Sequence, residues 1–241
     1  MSKEIDGPVQ KRLAQPGSSL KQYQQSTVGD FGILHLILYE FVNLTCVSLP
    51  GKIGGRLRRW GLSLVSAHIG KMVKIGINIF ILQPKKLHIE DKVEIGNDVT
   101  LGIKNTGDGI ILKEHVKIGD RTNFNCLGGA ITVGKGTSIG NDCRLGSLKG
   151  LTLGEFCTLG RYTCISGAGH AISDLDRPII EQPIISKGPT FIGDHVEIGE
   201  RATILDGVFI GNNVKIAAGS LVNRDIPASS HVKGIPARIC T

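Results

Sequence analysis

The chain is poor in aromatic residues, with one Trp, three Tyr and seven Phe among 241 residues. A core built from large rings is therefore excluded, and so is the aromatic–basic interleaving that marks nucleic-acid binding. Cysteine is present but unorganised. Of Cys46, Cys126, Cys143, Cys157, Cys164 and Cys240, no two are spaced C-x-x-C, so neither a zinc framework nor a disulfide scaffold is indicated. The first thirty residues are polar and lack the apolar core of a secretory signal, which points to a reducing, cytoplasmic setting. Long apolar runs are also scarce. The most apolar stretch, 31–49, is interrupted by His35, Glu40 and Asn43. A spanning helix needs about 20 mostly apolar residues, so membrane crossing is disfavoured. Net charge is small outside one region. Residues 1–74 carry ten Lys/Arg against four Asp/Glu, whereas 75–241 carry eighteen against seventeen.

Glycine is abundant, at 33 of 241 residues, about twice the usual ~7 per cent. Its placement explains the excess. In 190–222 an aliphatic falls at every sixth position: Ile192, Ile198, Ile204, Ile210, Ile216 and Val222. Gly193, Gly199 and Gly211 directly follow three of them, and a smaller residue stands two places before each. A period of six fits neither a helix nor a plain strand. It fits a coil of three short strands, where positions i−2 and i point to the same side and the turn after the aliphatic takes a glycine for its unusual φ. The pattern predicts an all-β solenoid, a left-handed parallel β-helix whose coils stack every 18 residues or so. The period starts at Ile69 and runs, with slips and a loop at 104–109, to Val222, giving roughly seven coils. Cys143 and Cys157 occupy the small inward slot and read as core residues.

The remaining segments divide the chain. Residues 1–30 read as a flexible tail. Residues 31–68 read as an N-terminal helical, basic segment. Leu34, Ile37, Leu38 and Phe41 follow helical spacing, Leu44 extends the stripe, and Lys52, Arg56, Arg58, Arg59 and Trp60 come next. This segment suits either peripheral contact with an anionic membrane through 31–60 or capping of the solenoid's open end. Within the solenoid, 69–222, an inserted loop at 166–189 breaks the period and carries His170, Asp174, Asp176, Arg177, Glu181 and Gln182. A loop this long on a compact body is commonly functional. Residues 223–241, with Pro227 and Pro236, form a C-terminal tail expected to run along the side of the last coils.

The six-residue period, the loop GAGHAISDLDRPIIEQ and the closing KGIPARI resemble the hexapeptide-repeat O-acyltransferases over about residues 69–241. The likeness is nearest to the branch acetylating sugars in polysaccharide and glycan synthesis, related to maltose, galactoside and serine acetyltransferases. The resemblance implies transfer of an acetyl group from acetyl-CoA to a sugar or lipid-linked glycan hydroxyl, with no metal and no covalent acyl-enzyme. It places His170 as general base. Asp174, Asp176 or a backbone carbonyl could orient the imidazole, and Glu181 and Gln182 could bind the acceptor or brace the loop. It implies a CoA groove between subunits of a homotrimer, lined by Gly199, Ala202, Ala217, Ala218 and Ser220, with Lys233 and Arg238 for the phosphates. Two positions depart from the pattern. Glu197 stands where many relatives have Trp, and Asn125 of the NFNC segment lies 45 residues before His170, about one coil further than in maltose-type enzymes. A γ-class carbonic anhydrase, which shares the solenoid, needs three zinc-bound histidines that these spacings do not supply. A non-catalytic scaffold is the alternative from outside the enzymes.

Overall fold

A computed structural model describes residues 19–240. The six-residue period becomes three flat faces. Ile69, Ile89, Leu112, Val133, Leu153, Ile192 and Ile210 stack in register on the first face. The second face stacks Ile75, Ile95, Ile118, Ile139, Leu159, Ile198 and Ile216. The third stacks Ile81, Leu101, Phe124, Leu145, Ile165, Ile204 and Val222. All but Ile69 are buried, so seven coils of a left-handed parallel β-helix share one continuous aliphatic core. Cys143 and Cys157 lie inside it, as their position in the repeat predicts.

The glycines serve a different purpose from the one expected. Gly76 and Gly193 are not left-handed; the left-handed residues come two places later, at Asn78 (φ 56°) and His195 (φ 58°). Glycine is needed because the coils approach closely. A Cβ on Gly76 would collide with the carbonyl of Gly96 in the next coil, and one on Gly193 with the side chain of Asn212.

Every departure from the period falls at one corner, between the third face and the first. Residues 82–86, 104–109, 127–130, 147–150 and 166–189 all lie there, bonded coil to coil. Lys86 Nζ donates to the carbonyls of Asn105 (2.8 Å) and Gly107 (2.9 Å), Asp108 N to Gly128 O (2.6 Å), and Ser147 Oγ to Gly129 O (2.6 Å). The long loop is thus the last and largest of a stack of corner excursions.

Both ends of the solenoid are closed. Each coil's amides donate to carbonyls of the next, as Lys74 N does to Val93 O and Glu94 N to Val116 O (both 2.9 Å). Some first-coil carbonyls, those of Lys71 and Ile77, accept from the second coil, but others, such as those of Ile75 and Ile81, face out of the N-terminal end with no coil to pair them, the situation of an open sheet edge. Three helices cover them: α1 (Ser19–Thr27), α2 (Ile33–Cys46) and α3 (Gly51–Val65). Tyr39 Oη donates to Ile81 O (2.6 Å) and Arg58 Nε to Ile75 O (3.0 Å). Helix α1 corrects the expectation of a flexible tail over 19–27; residues 1–18 lie outside the described residues. At the far end the C-terminal segment does not run alongside the coils but stacks on the last one. Ile226 bridges Ile210, Val232 pairs with Ile216, and Ala237–Ile239 folds back antiparallel on His231–Gly234. The physical reason is again an unpaired edge. Asp225 Oδ1 and the carbonyls of Ser230 and Val232 accept from the last coil's Phe209 (2.8 Å), Lys215 and Ala217 (2.9 Å each).

Candidate active site

The 166–189 loop is pinned at its base by a short antiparallel ladder pairing His170 with Ile184 and Gly169 with Ile185. His170 is exposed, and its Nδ1 lies 3.2 Å from the carbonyl oxygen of Gln182. A carbonyl only accepts, so Nδ1 carries the proton and Nε2 presents a free lone pair. The Gln182 carboxamide is buried and holds the loop from inside. Its Nε2 donates to the carbonyls of Asp174 (2.7 Å) and Arg177 (3.0 Å), and its Oε1 accepts from Asp174 N (3.3 Å). Asp174 and Asp176 do not orient the imidazole. Asp174 Oδ1 instead accepts from the amide of Asp176 (3.1 Å), a turn-stabilising bond. Arg177 Nη2 donates to Glu181 O (3.2 Å), so Glu181 contributes through its backbone.

The residues proposed for the carrier sit elsewhere on the solenoid. Gly199, Ala202, Ala217, Ala218 and Ser220 lie in turns that follow the second face, one corner away from the loop. Ala202 and Ser220 are buried, and their amides donate to Gly199 O and Ala217 O (3.3 Å each). The amides of Gly199 and Ala217 donate to Ile216 O (2.8 Å) and Val232 O (2.9 Å). These four positions are accordingly committed to the repeat. Ala218 is exposed, and among the described residues its amide has no hydrogen-bond partner. Lys233 and Arg238 face each other directly across the closing hairpin, both exposed. Among the described residues neither forms an ion pair, so two like charges stand opposite each other, an arrangement that costs stability unless an anion joins them. That hairpin continues the second face, whereas His170 projects from the corner between the third and the first. One subunit alone does not bring the two together.

Further residues are placed by the structure. Glu197 lies on the second face, exposed and paired with Lys215 (3.0 Å). Asn125 pairs in register with Gly146, which in turn abuts Gly167, so it lies two coils below the start of the loop. Burial pushes the Cys143 thiol up to about 11 from 9.0, and raises those of Cys157, Cys126 and Cys164 as well. These thiols are held protonated, and none is in the loop. Among the described residues no three His, Cys, Asp or Glu side chains gather as a metal site. Sequence reasoning missed the Ile184–Ile185 strand that fixes the imidazole's height. Its signal was the aliphatic pair directly after Pro183.

Comparison with known proteins agrees with this architecture. The family model described as bacterial transferase hexapeptide (six repeats) matches residues 189–224. The Bifunctional protein GlmU of Synechococcus elongatus is 31% identical over 195 residues, covering 69% of this chain and 40% of that protein. The 2,3,4,5-tetrahydropyridine-2,6-dicarboxylate N-acetyltransferase of Staphylococcus aureus is 41% identical over 73 residues, covering 30% of this chain and 28% of its own length. The chain thus spans less than half of both curated relatives. Among solved structures, a variant of AntD, an N-acyltransferase from Bacillus cereus in complex with dTDP and Coenzyme A, superposes with a TM-score of 0.51 at 19% identity, covering 80% of this chain and 90% of that one. NeuO, a polySia specific acetyltransferase, gives 0.50 at 20% identity, over 72% and 84%. Repeat, coil register and family model agree: residues 189–224 match the bacterial transferase hexapeptide, and the whole solenoid is similar to hexapeptide-repeat transferases.

Proposed function

We propose that this protein is a CoA-dependent O-acetyltransferase that acylates a hydroxyl of a sugar or glycan precursor. The observation that carries the reading is the bond from His170 Nδ1 to the Gln182 carbonyl, which leaves Nε2 as a base on a braced, exposed loop. A sugar hydroxyl is a poor nucleophile at neutral pH, and a neutral imidazole is suited to take its proton. Acetyl-CoA supplies an acyl group already activated as a thioester. His170 Nε2 accepts the hydroxyl proton as the oxygen bonds to the acyl carbon. It then returns that proton to the departing thiolate, so the imidazole ends as it began. No covalent acyl-enzyme is required, in keeping with thiols that burial holds protonated.

Lys233 and Arg238 are assigned to the carrier's phosphates, and their mutual repulsion is relieved when an anion lies between them. Ala218 N–H is the amide left to meet the pantetheine arm. The site is completed between subunits of a homotrimer. Two observations favour this: the base and the phosphate cations stand apart within one chain, and the loop exposes Ile172, Ile180 and Leu175, the last at 95%. A neighbouring subunit gives those side chains cover. The sugar acceptor rests on the loop and tail motifs, and on fold neighbours described as a polySia specific acetyltransferase and as an N-acyltransferase in complex with dTDP. A cytoplasmic site of action, at the inner face of the membrane, suits the free thiols and the supply of acyl-CoA.

The test is mass-spectrometric detection of CoA-dependent acetylation over a panel of nucleotide-linked and lipid-linked sugars, with hydroxylamine lability separating ester from amide products. His170→Ala should lower kcat/KM by about 10² to 10⁴ while leaving thermal unfolding unchanged, because the side chain is exposed. Wild-type turnover in that variant removes the assigned base.

A further inference from the structure

We propose that the outward face of α2 and α3 docks on an anionic lipid bilayer, with both helices lying flat in the headgroup region. The inference does not depend on the acyl-transfer reading. Helix α3 has three arcs at 3.6 residues per turn. Gly54, Arg58, Gly61, Leu62 and Val65 form the buried arc against the solenoid and α2. Next come Lys52, Arg56 and Arg59, all exposed. The third arc is apolar and also exposed: Ile53 (75%), Leu57, Trp60 (58%) and Leu64. Helix α2 buries Leu36, Tyr39, Val42 and Cys46, and turns Leu34 (79%), Ile37, Phe41 and Leu44 (85%) outward.

The two apolar strips form one surface. Gly61 packs against Val42 and Cys46 of α2, and on the helical wheel the apolar arc of α3 is the one beside Gly61. The basic arc therefore borders the free edge. Soluble monomers rarely leave an apolar surface of this extent uncovered.

Charge selects the occupant. Between residues 33 and 65 the one acidic side chain is Glu40, already accepting from Tyr23 Oη (2.6 Å). Three cations beside an apolar strip, with a Trp at their border, match the negative surface potential and interfacial layer of an anionic bilayer. A second copy of the same face would instead bring Lys52, Arg56 and Arg59 towards their own duplicates with no acid to offset them. At 14 and 15 residues the helices are about 21 to 23 Å long, and no helix among the described residues is long and apolar enough to cross a membrane. In a trimer whose axis parallels the solenoids, three such faces point the same way and bind together.

Trp60 is the sole tryptophan of the chain, so its fluorescence reads this face directly. Full-length protein is titrated with vesicles of phosphatidylcholine alone or mixed with phosphatidylglycerol, with and without brominated acyl chains. The expected result is a blue shift and bromine quenching with the anionic vesicles only, weakening as salt rises. Lys52→Gln/Arg56→Gln/Arg59→Gln should bind about a hundredfold less tightly, from ~1 kcal/mol per basic residue near the surface. Ile53→Ser/Leu64→Ser should lose binding while keeping its circular dichroism spectrum; should it not fold, the basic triple variant still decides. Absence of quenching with anionic vesicles overturns the proposal, as does equal binding to neutral vesicles. A blue shift that grows with protein concentration and needs no lipid overturns it in favour of a second copy. None of these readouts involves acyl transfer, so failure here leaves the proposed activity standing, and the reverse.

Discussion

A single buried carboxamide decides how firmly the candidate base is held. Gln182 fills the inside of the loop and satisfies the carbonyls of Asp174 and Arg177. In Gln182→Ala those carbonyls lose their donor, a cost of about 1–3 kcal/mol if they stay buried. That cost falls on the loop, since the core of the coils is untouched. Steady-state kinetics should show kcat lower by roughly tenfold with KM little changed, and the melting temperature should barely move. Unaltered kcat would show that the brace is irrelevant. A second residue-scale prediction concerns Cys143. Its thiol titrates at about 11 in the folded chain against 9.0 ordinarily. The group is raised on folding, so its contribution is complete below the ordinary thiol pKa and is lost as pH climbs towards the folded value. Denaturant midpoints should therefore fall between pH 9 and 11 in wild type and fall less in Cys143→Ala. The flattening is partial, because Cys126, Cys157 and Cys164 shift in the same direction. Equal slopes in the two proteins would discount the thiol.

The N-terminal helices are explained by an edge that needs closing. Tyr39 Oη and Arg58 Nε donate to first-coil carbonyls with no coil beneath them. Tyr39→Phe keeps the ring and deletes only the donor, so urea titration should register about 1–3 kcal/mol lost. A midpoint equal to wild type would mean that water reaches the Ile81 carbonyl. Sequence and structure agree unevenly at this scale. The coils are legible because burial of one position in six leaves a period that no helix or simple strand imitates. The reason for the glycines was not, since collision between Gly76 and the Gly96 backbone is a contact across twenty residues and leaves no local mark. Capping and surface contact read as alternatives in the sequence, because α2 is apolar around most of its circumference. The structure shows the capping face, with Leu36, Tyr39 and Val42 inward, and leaves Leu34, Ile37, Phe41 and Leu44 exposed as the face proposed for the bilayer. At the loop, His170 was visible through its motif, but its orienting partner is a backbone oxygen, and every residue has one.

For the whole molecule, the separation of base and cations makes a test of assembly possible. His170 leaves the corner between the third and first faces, while Lys233 and Arg238 sit on the extension of the second. If an active site combines the loop of one subunit with the hairpin of the next, each defect can be complemented by the other. A subunit carrying His170→Ala still offers Lys233 and Arg238. One carrying Lys233→Ala/Arg238→Ala still offers His170. Each variant alone should be nearly inactive. Mixed at equal amounts by co-expression, they assort at random around a cyclic trimer. An intact site then needs the cation-deficient subunit as loop donor and the His170→Ala subunit as hairpin donor, which happens at about one interface in four. Recovered activity should approach a quarter of wild type, and mixing separately purified trimers without dissociation should recover none. A site confined to one subunit gives a different answer, because every chain then carries one lesion and co-expression restores nothing. Sedimentation of the active species as a monomer would also rule out the shared arrangement.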